Sequence, residues 1–384
     1  MRRRRRWAAA ALIAAVIVIG LWSPLWAPLW RASVVVLDVY SSAIYGANYA
    51  ASITPEPRRT EEHMTLVDED VRVTWWIPGA GTRHAAMLVV NGATPFGNDD
   101  PETARVSEAL ARAGYLVMLP QFAFLTDARL ERSAPLKVDA AFAAMLRRPD
   151  VDPERAGAFG FSVGGGVLFA AAGITGGALA RAKYLGALGA FFDIRSYLAS
   201  VVSGTQLRGG RLERWTPDPE ARLKLPLGAA EALGDAADRE TVTAAIRASG
   251  GPLDPSAPAG LGDEARALWR ALSATTYADA IAALDALPGG LRDTYATLSP
   301  ATRWADIKAP VYWLHDEGDR FEPVSEAESA SGAPHEGGTT LHLTRLLSHA
   351  AALSQGARQE DAAFWIRELS GLLGFALSVL RRAG

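Results

Sequence analysis

The chain has 384 residues, 49% of them apolar, and no cysteine. Disulfides, thiolate metal sites and a cysteine nucleophile are therefore excluded, while the length allows one large core with an inserted lobe. Net charge is −3, and removing the five positive charges of Arg2–Arg6 leaves −8, a balance that argues against a nucleic-acid partner.

Residues 1–30 read as an N-terminal transmembrane anchor. Arg2–Arg6 precede Trp7–Trp30, where Ser23 is the only polar side chain. An apolar run of about 20 residues crosses a bilayer as a helix, and flanking arginines stay on the cytoplasmic side. Trp22, Trp26 and Trp30 suit the far interface. Pro24 and Pro28 predict that the helix ends near Trp22, a short span that a cleaved signal peptide also shows, although no small-x-small cleavage site stands out. The paired arginines also permit a twin-arginine signal. All these readings put the body outside the cytoplasm, anchored or, after cleavage, secreted. Ser33–Ile53 is apolar but interrupted by Asp38 and several Ser, Tyr and Asn residues, and reads as an interfacial or surface-lying helix. With the linker Thr54–Arg59 it joins the anchor, over residues 31–61, to a body of residues 62–384.

Within the body, Met64–Val67 and Val71–Ile77 flank Asp68-Glu69-Asp70, a hairpin signal. Ala85–Val90 is continuously apolar, as expected of a strand buried on both faces of a parallel sheet. Pro101–Ala113 has helical spacing, with Gly114 as its stop. Tyr115–Leu119 is the next strand, Leu136–Leu146 a helix, Arg155–Phe161 a strand, and Tyr184–Phe192 another. Such alternation predicts an α/β fold, a mostly parallel sheet with helices on both faces. It stops over residues 193–298, where helix-like pieces (Pro219–Leu233, Asp238–Ala248, Glu264–Ala283) are separated by Gly/Pro-rich breaks. A hundred residues without a strand signal are too many for one connection, and a helical cap inserted into the sheet domain is expected. The α/β pattern returns with strands at Pro310–Leu314 and Thr339–Leu347. A closing helix follows at Gln359–Leu380, whose apolar end Leu372–Leu380 is too short to span a membrane and reads as core packing.

Gly160-Phe161-Ser162-Val163-Gly164 joins the strand Arg155–Phe161 to an apolar helix beginning near Val167. In that context G-x-S-x-G is a nucleophile elbow: a sharp turn strains the serine backbone and lifts its hydroxyl off the sheet. Cβ atoms beside it would clash, so Gly160 and Gly164 are a steric requirement. A serine hydroxyl needs a base to take its proton, and that base needs a carboxylate to orient it. In a hydrolase sheet the three arrive in the order Ser, acid, His at successive strand ends. Asp319, just past the strand Pro310–Leu314, is the favoured acid. Asp316 and Glu317 share its turn, and Asp193 is the alternative after the preceding strand. Of the histidines that follow, His349 at the end of the last strand is favoured over His335 before that strand and His342 within it. An oxyanion needs two N–H donors. Val163 N–H follows the nucleophile; Ala93, with Thr94 as its neighbouring alternative, lies in the turn Asn91-Gly92-Ala93-Thr94 after Ala85–Val90.

VVNGATP at Val89–Pro95, GFSVGGG at Gly160–Gly166, LSP at Leu298–Pro300, APVYWLHDEGDRFEPV at Ala309–Val324 and SHA at Ser348–Ala350 together resemble the α/β-hydrolase superfamily. The resemblance is greatest to its dienelactone-hydrolase and prolyl-oligopeptidase-like esterase branch. It runs from about residue 62 to 380 and leaves the cap uncovered. It implies Ser162 as nucleophile, Asp319 as acid and His349 as base. Asn91 stands where the branch usually has the His of an oxyanion-turn His-Gly, and Asp316 where it has the Gly of the His-Gly before the acid. The reading is a membrane-anchored serine hydrolase acting on a small-molecule carboxylic ester, with neither metal nor cofactor required. A peptidase, thioesterase or acyltransferase would use the same residues, and a membrane-tethered scaffold on the same fold is the non-enzymatic alternative.

Overall fold

The computed structural model describes residues 26–45, 48–347, 349 and 360–383. Most of the apolar stretch behind the anchor reading, up to residue 25, lies outside them. Eight strands form one sheet: β1 (Arg58–Leu66), β2 (Glu69–Ile77), β3 (His84–Val90), β4 (Tyr115–Gln121), β5 (Val151–Phe161), β6 (Leu185–Leu188), β9 (Val311–Asp316) and β10 (Thr339–Thr344), the labels β7 and β8 belonging to a small hairpin at Thr205–Arg208 and Arg211–Arg214. Their order is β1-β2-β4-β3-β5-β6-β9-β10. β1 and β2 pair antiparallel, as do β2 and β4, and every later neighbour pairs parallel. This is the expected α/β-hydrolase arrangement.

The reason is legible in the side chains. β3 is buried along its whole length, as are the first six residues of β4, so helices must cover both faces. One core contains Val138, Phe142, Leu168 and Phe169 from helices Ala134–Leu146 and Ser162–Ala172 together with the cap. The other lies under Pro101–Arg112, Ala362–Leu380 and Trp26–Tyr45. The parallel strands therefore end together at one sheet edge, where β3, β5, β6 and β9 deliver their loops.

Several expectations need correction. Trp26–Tyr45 is a helix that includes Pro28. Its bounds are therefore not the expected Ser33–Ile53. It packs on Ala362–Leu380 and Pro101–Arg112 and buries Ala32, Val34, Val39 and Tyr40. Asp38, taken as a polar interruption, is buried with Arg112 Nε at 3.4 Å and Asn48 Nδ2 at 2.9 Å from its Oδ2. The closing helix, Ala362–Leu380, is long and apolar enough to cross a membrane by length and composition, yet Phe364, Leu372, Phe375 and Val379 join the second core.

The expected strand Tyr184–Phe192 stops at Leu188, because the chain turns at Gly189 with φ +56°. Residues 193–298 hold six helices and also the unforeseen β7–β8 hairpin. The helix expected over Glu264–Ala283 is two, Asp263–Leu272 and Tyr277–Asp285. Thr276 caps the second by accepting from Asp279 N at 3.1 Å while its hydroxyl donates to Asp279 at 2.7 Å.

Candidate active site

β5 runs into the helix Ser162–Ala172 with no intervening loop, and Ser162 sits at the joint with φ +51°. That left-handed conformation is costly for a residue with a side chain, and packing on all sides maintains it. A Cβ on Gly160 would stand 2.4 Å from Gly165 Cα, and one on Gly164 would meet the Asn91 carbonyl oxygen. Both glycines are a steric necessity of the elbow. Ser162 opens onto a cavity of about 170 Å³ whose lining includes Ala93, Phe124, Leu130, Val163, Leu225 and His349. Leu225 belongs to the cap helix Pro219–Glu231, so the insertion forms part of the cavity wall.

Ala93 and Val163 both line this cavity, as the sequence reading of the oxyanion donors requires. Asn91 organises the Ala93 turn: its Nδ2 donates to Gly97 O at 2.6 Å, while its Oδ1 accepts from Gly92 N at 2.8 Å and Thr103 Oγ1 at 2.6 Å. Gly92 N–H is thereby spent. Neither Ala93 N–H nor Val163 N–H is engaged by another acceptor among the described residues.

The acid and the imidazole meet. His349 Nδ1 donates to Asp319 Oδ2 at 2.9 Å, and Asp319 Oδ1 accepts from the backbone N–H groups of Phe321 and Glu322 at 2.7 and 3.1 Å. Gly189 makes the meeting feasible, since a Cβ there would lie 3.1 Å from Asp319 Oδ2 and 3.3 Å from His349 Nδ1. Phe321 stacks on the His349 ring at 4.6 Å. Burial raises the Asp319 carboxyl pKa, but the His349 charge, His315 and the backbone donors outweigh it and hold the group below its usual value. For His349, burial lowers the pKa while Asp319, Glu322 and Asp316 raise it, to about 9.

Ser162 and His349 are not hydrogen-bonded to each other among the described residues. Ser162 Oγ donates instead to Glu322 Oε1 at 2.6 Å, and Glu322 Oε2 lies 3.1 Å from His349 Nδ1. Glu322 is buried, and desolvation pushes its pKa up to about 7, with Asp319 adding to the rise and His349 opposing it. Sequence reasoning missed this residue. Its signal was the spacing Asp319-x-x-Glu322 before Pro323: the Asp319 side chain caps the turn and brings the glutamate back over the serine.

The other candidates sit elsewhere. Asp193 caps the helix Ile194–Ser203 through Arg195 N and pairs with the Arg195 guanidinium at 2.7 Å. Asp316 accepts from Gly318 N, and Glu317 is exposed. His335 bonds Ile307 O and Thr339 Oγ1, while His342, within β10, has its ring 6.0 Å from that of Phe375. His315, unremarked in the sequence, is fully buried beneath the site. It takes Trp313 Nε1–H on Nδ1 at 3.4 Å and donates Nε2–H to Glu322 O at 3.0 Å. Asp319, Glu322 and His349 could also hold a metal ion by proximity of their ligand atoms. Within that group His349 bonds Asp319 and lies 3.1 Å from Glu322 Oε2.

No protein-family model matches the chain, and no curated protein matches it in sequence. Solved structures resemble it in backbone course. An acylaminoacyl peptidase from Pyrococcus horikoshii superposes with a TM-score of 0.49 at 13% identity, over 86% of this chain and 43% of the peptidase. A dienelactone hydrolase from Anabaena variabilis gives 0.41 at 13% identity over 84% and 96% of the two chains. Est1E from Butyrivibrio proteoclasticus gives 0.42 at 12% identity over 83% and 98%. The chain spans less than half the length of the peptidase.

Proposed function

We propose that this chain is a serine hydrolase that cleaves carboxylic esters with Ser162 as nucleophile. One observation carries the reading. Ser162 occupies a strained turn at the head of a helix, facing a cavity lined by His349, which is hydrogen-bonded to the buried Asp319 behind it. Oγ attacks the ester carbonyl carbon, the N–H groups of Val163 and Ala93 receive the developing oxyanion, and the buried cluster around His349 handles the hydroxyl proton. Asp319 stabilises the charged imidazole. Water then releases the acid from the acyl-enzyme. Phe124, Leu130, Leu225 and Phe321 give the cavity an apolar wall, which favours a small ester of an apolar acid over a charged one.

The arginine cluster followed by an apolar run supports an anchor at residues 1–30, with the hydrolase body extracytoplasmic. Full-length protein in detergent, treated with a fluorophosphonate probe, should label in the wild type and not in Ser162→Ala. A folded wild type that neither labels nor hydrolyses any p-nitrophenyl ester would refute the enzyme reading. Digestion of the body by protease added to cells stripped of any outer barrier tests its placement, and full protection would refute it.

A further inference from the structure

The Ser162 hydroxyl hydrogen points at a carboxylate, not at an imidazole. Oγ is 2.6 Å from Glu322 Oε1, the other oxygen of that carboxylate is 3.1 Å from His349 Nδ1, and Nδ1 is 2.9 Å from Asp319 Oδ2. A general base must stand within hydrogen-bond reach of the proton it abstracts. Among the described residues Glu322 is the group in that position. His349 presents its Nδ1 to the carboxylates of Asp319 and Glu322.

We propose that Glu322 is the catalytic base that accepts the Ser162 proton, with His349, held by Asp319, as the cationic partner of that carboxylate. The inference rests on the hydrolase reading above and reassigns only the first proton acceptor. As Oγ bonds to the ester carbon, its hydrogen passes to Glu322 Oε1 and the carbonyl electron pair moves onto oxygen. Collapse breaks the carbon–alkoxy bond, and the Glu322 proton leaves with the alcohol. In the second half a water loses its proton to Glu322 as its oxygen attacks the acyl carbon. Oγ departs and regains the proton. Every proton taken is returned, and no co-reactant beyond ester and water is needed.

The surroundings suit the role. Glu322 is faced by Ser162 from the elbow, Tyr197 from the helix Ile194–Ser203, Asp319 within its own turn and His349 beyond β10, while His315 fixes its backbone carbonyl. Burial makes the carboxylate a stronger base than an exposed one. The imidazolium, raised above its ordinary pKa by its two carboxylates, remains charged at neutral pH and keeps the negative charge of Glu322 tolerable.

The test uses full-length protein, p-nitrophenyl butyrate and a pH series. Glu322→Gln, similar in shape, should lower kcat by about 10³-fold or more with KM little changed, and Glu322→Asp should recover part of that loss. In the wild type kcat/KM should fall on the acid side of about pH 7. His349→Gln removes the positive charge that lowers the Glu322 pKa, so its residual activity should show the same limb displaced to higher pH. An imidazole base predicts instead that this limb vanishes in His349→Gln. Retention of wild-type kcat by Glu322→Gln, or a faster Glu322→Ala, would overturn the assignment while leaving the hydrolase reading intact. If the Gln variant does not fold, the displaced or vanished limb in His349→Gln decides alone. An unreactive wild type would overturn both.

Discussion

Gly164 lies so close beneath the turn after β3 that a Cβ would stand 1.9 Å from the carbonyl oxygen of Asn91. The nucleophile elbow and the proposed oxyanion turn are thus packed backbone to backbone, and Asn91 serves both by tying its turn to Gly97 and Thr103. A methyl group at 164 must separate them. Gly164→Ala is expected to cost about 1–3 kcal/mol as overpacking and to lower ester turnover together with melting temperature. Gly374, exposed in the closing helix with nothing within 4 Å of its Cβ position, is the control. Gly374→Ala should add about 0.5–1 kcal/mol by helix propensity and leave turnover unchanged.

His335 and His349 both follow the acid in sequence, but one is structural. His335 is held between Ile307 O and Thr339 Oγ1 with its ring 5.0 Å from Trp304, and it is not among the residues lining the Ser162 cavity. His335→Ala should lose about 1–2 kcal/mol of stability and keep kcat/KM within about twofold. Ester kinetics beside a thermal melt would show it. Near-normal turnover in His349→Ala combined with a dead His335→Ala would reverse the assignment.

Glu326 is a buried carboxylate with a scaffolding task. Its Oε2 accepts from Phe192 N and Asp193 N at 2.8 and 2.9 Å, and its Oε1 accepts from Ser196 Oγ at 2.6 Å. Desolvation, opposed by these donors, pushes its pKa up to about 7. A carboxyl raised above its unfolded value favours the folded state less as pH rises and it ionises. Glutamine can accept from both backbone groups and carries no charge. The melting temperature of Glu326→Gln relative to wild type should therefore improve from pH 5 to pH 8. Glu326→Ala, which strands buried donors, should lose about 1–3 kcal/mol at both. An unchanged difference across that range would rule out the charge argument.

An ion pair helps hold the helix Trp26–Tyr45 on the body. Asp38 is 1% exposed, and Arg112, which also bonds Glu108, is its cationic neighbour at 3.4 Å. Arg112→Met removes the nearest counter-charge of that buried carboxylate and should cost about 3–5 kcal/mol at pH 8. Burial already raises the Asp38 pKa and the arginine opposes it, so the variant should recover stability as pH falls and the acid takes up a proton. Limited proteolysis across the pH range, read as release of the segment around Trp26–Tyr45, measures the effect. A variant as resistant as wild type at pH 8 would show that the pair does not hold the helix.

Local pattern alone determined much of this protein. The continuous apolar runs at β3 and β4, the glycines around Ser162 and the recurrence of strand and helix fix a parallel sheet with an elbow, because burial on both faces and steric room are properties of neighbouring residues. Chain order also placed Asp319 and His349 at adjacent strand ends, where they meet. Tertiary structure decided what depends on contacts between distant residues. It docked Trp26–Tyr45 on the body through Asp38 and Arg112, which lie 74 positions apart, and bent the chain at Gly189 so that an imidazole could approach. It also set Glu322, rather than His349, against the serine hydroxyl. Strand periodicity cannot reveal that last choice, since which acceptor a hydroxyl meets depends on a turn of a few residues whose direction is set by the hydrogen bonds Asp319 makes in three dimensions.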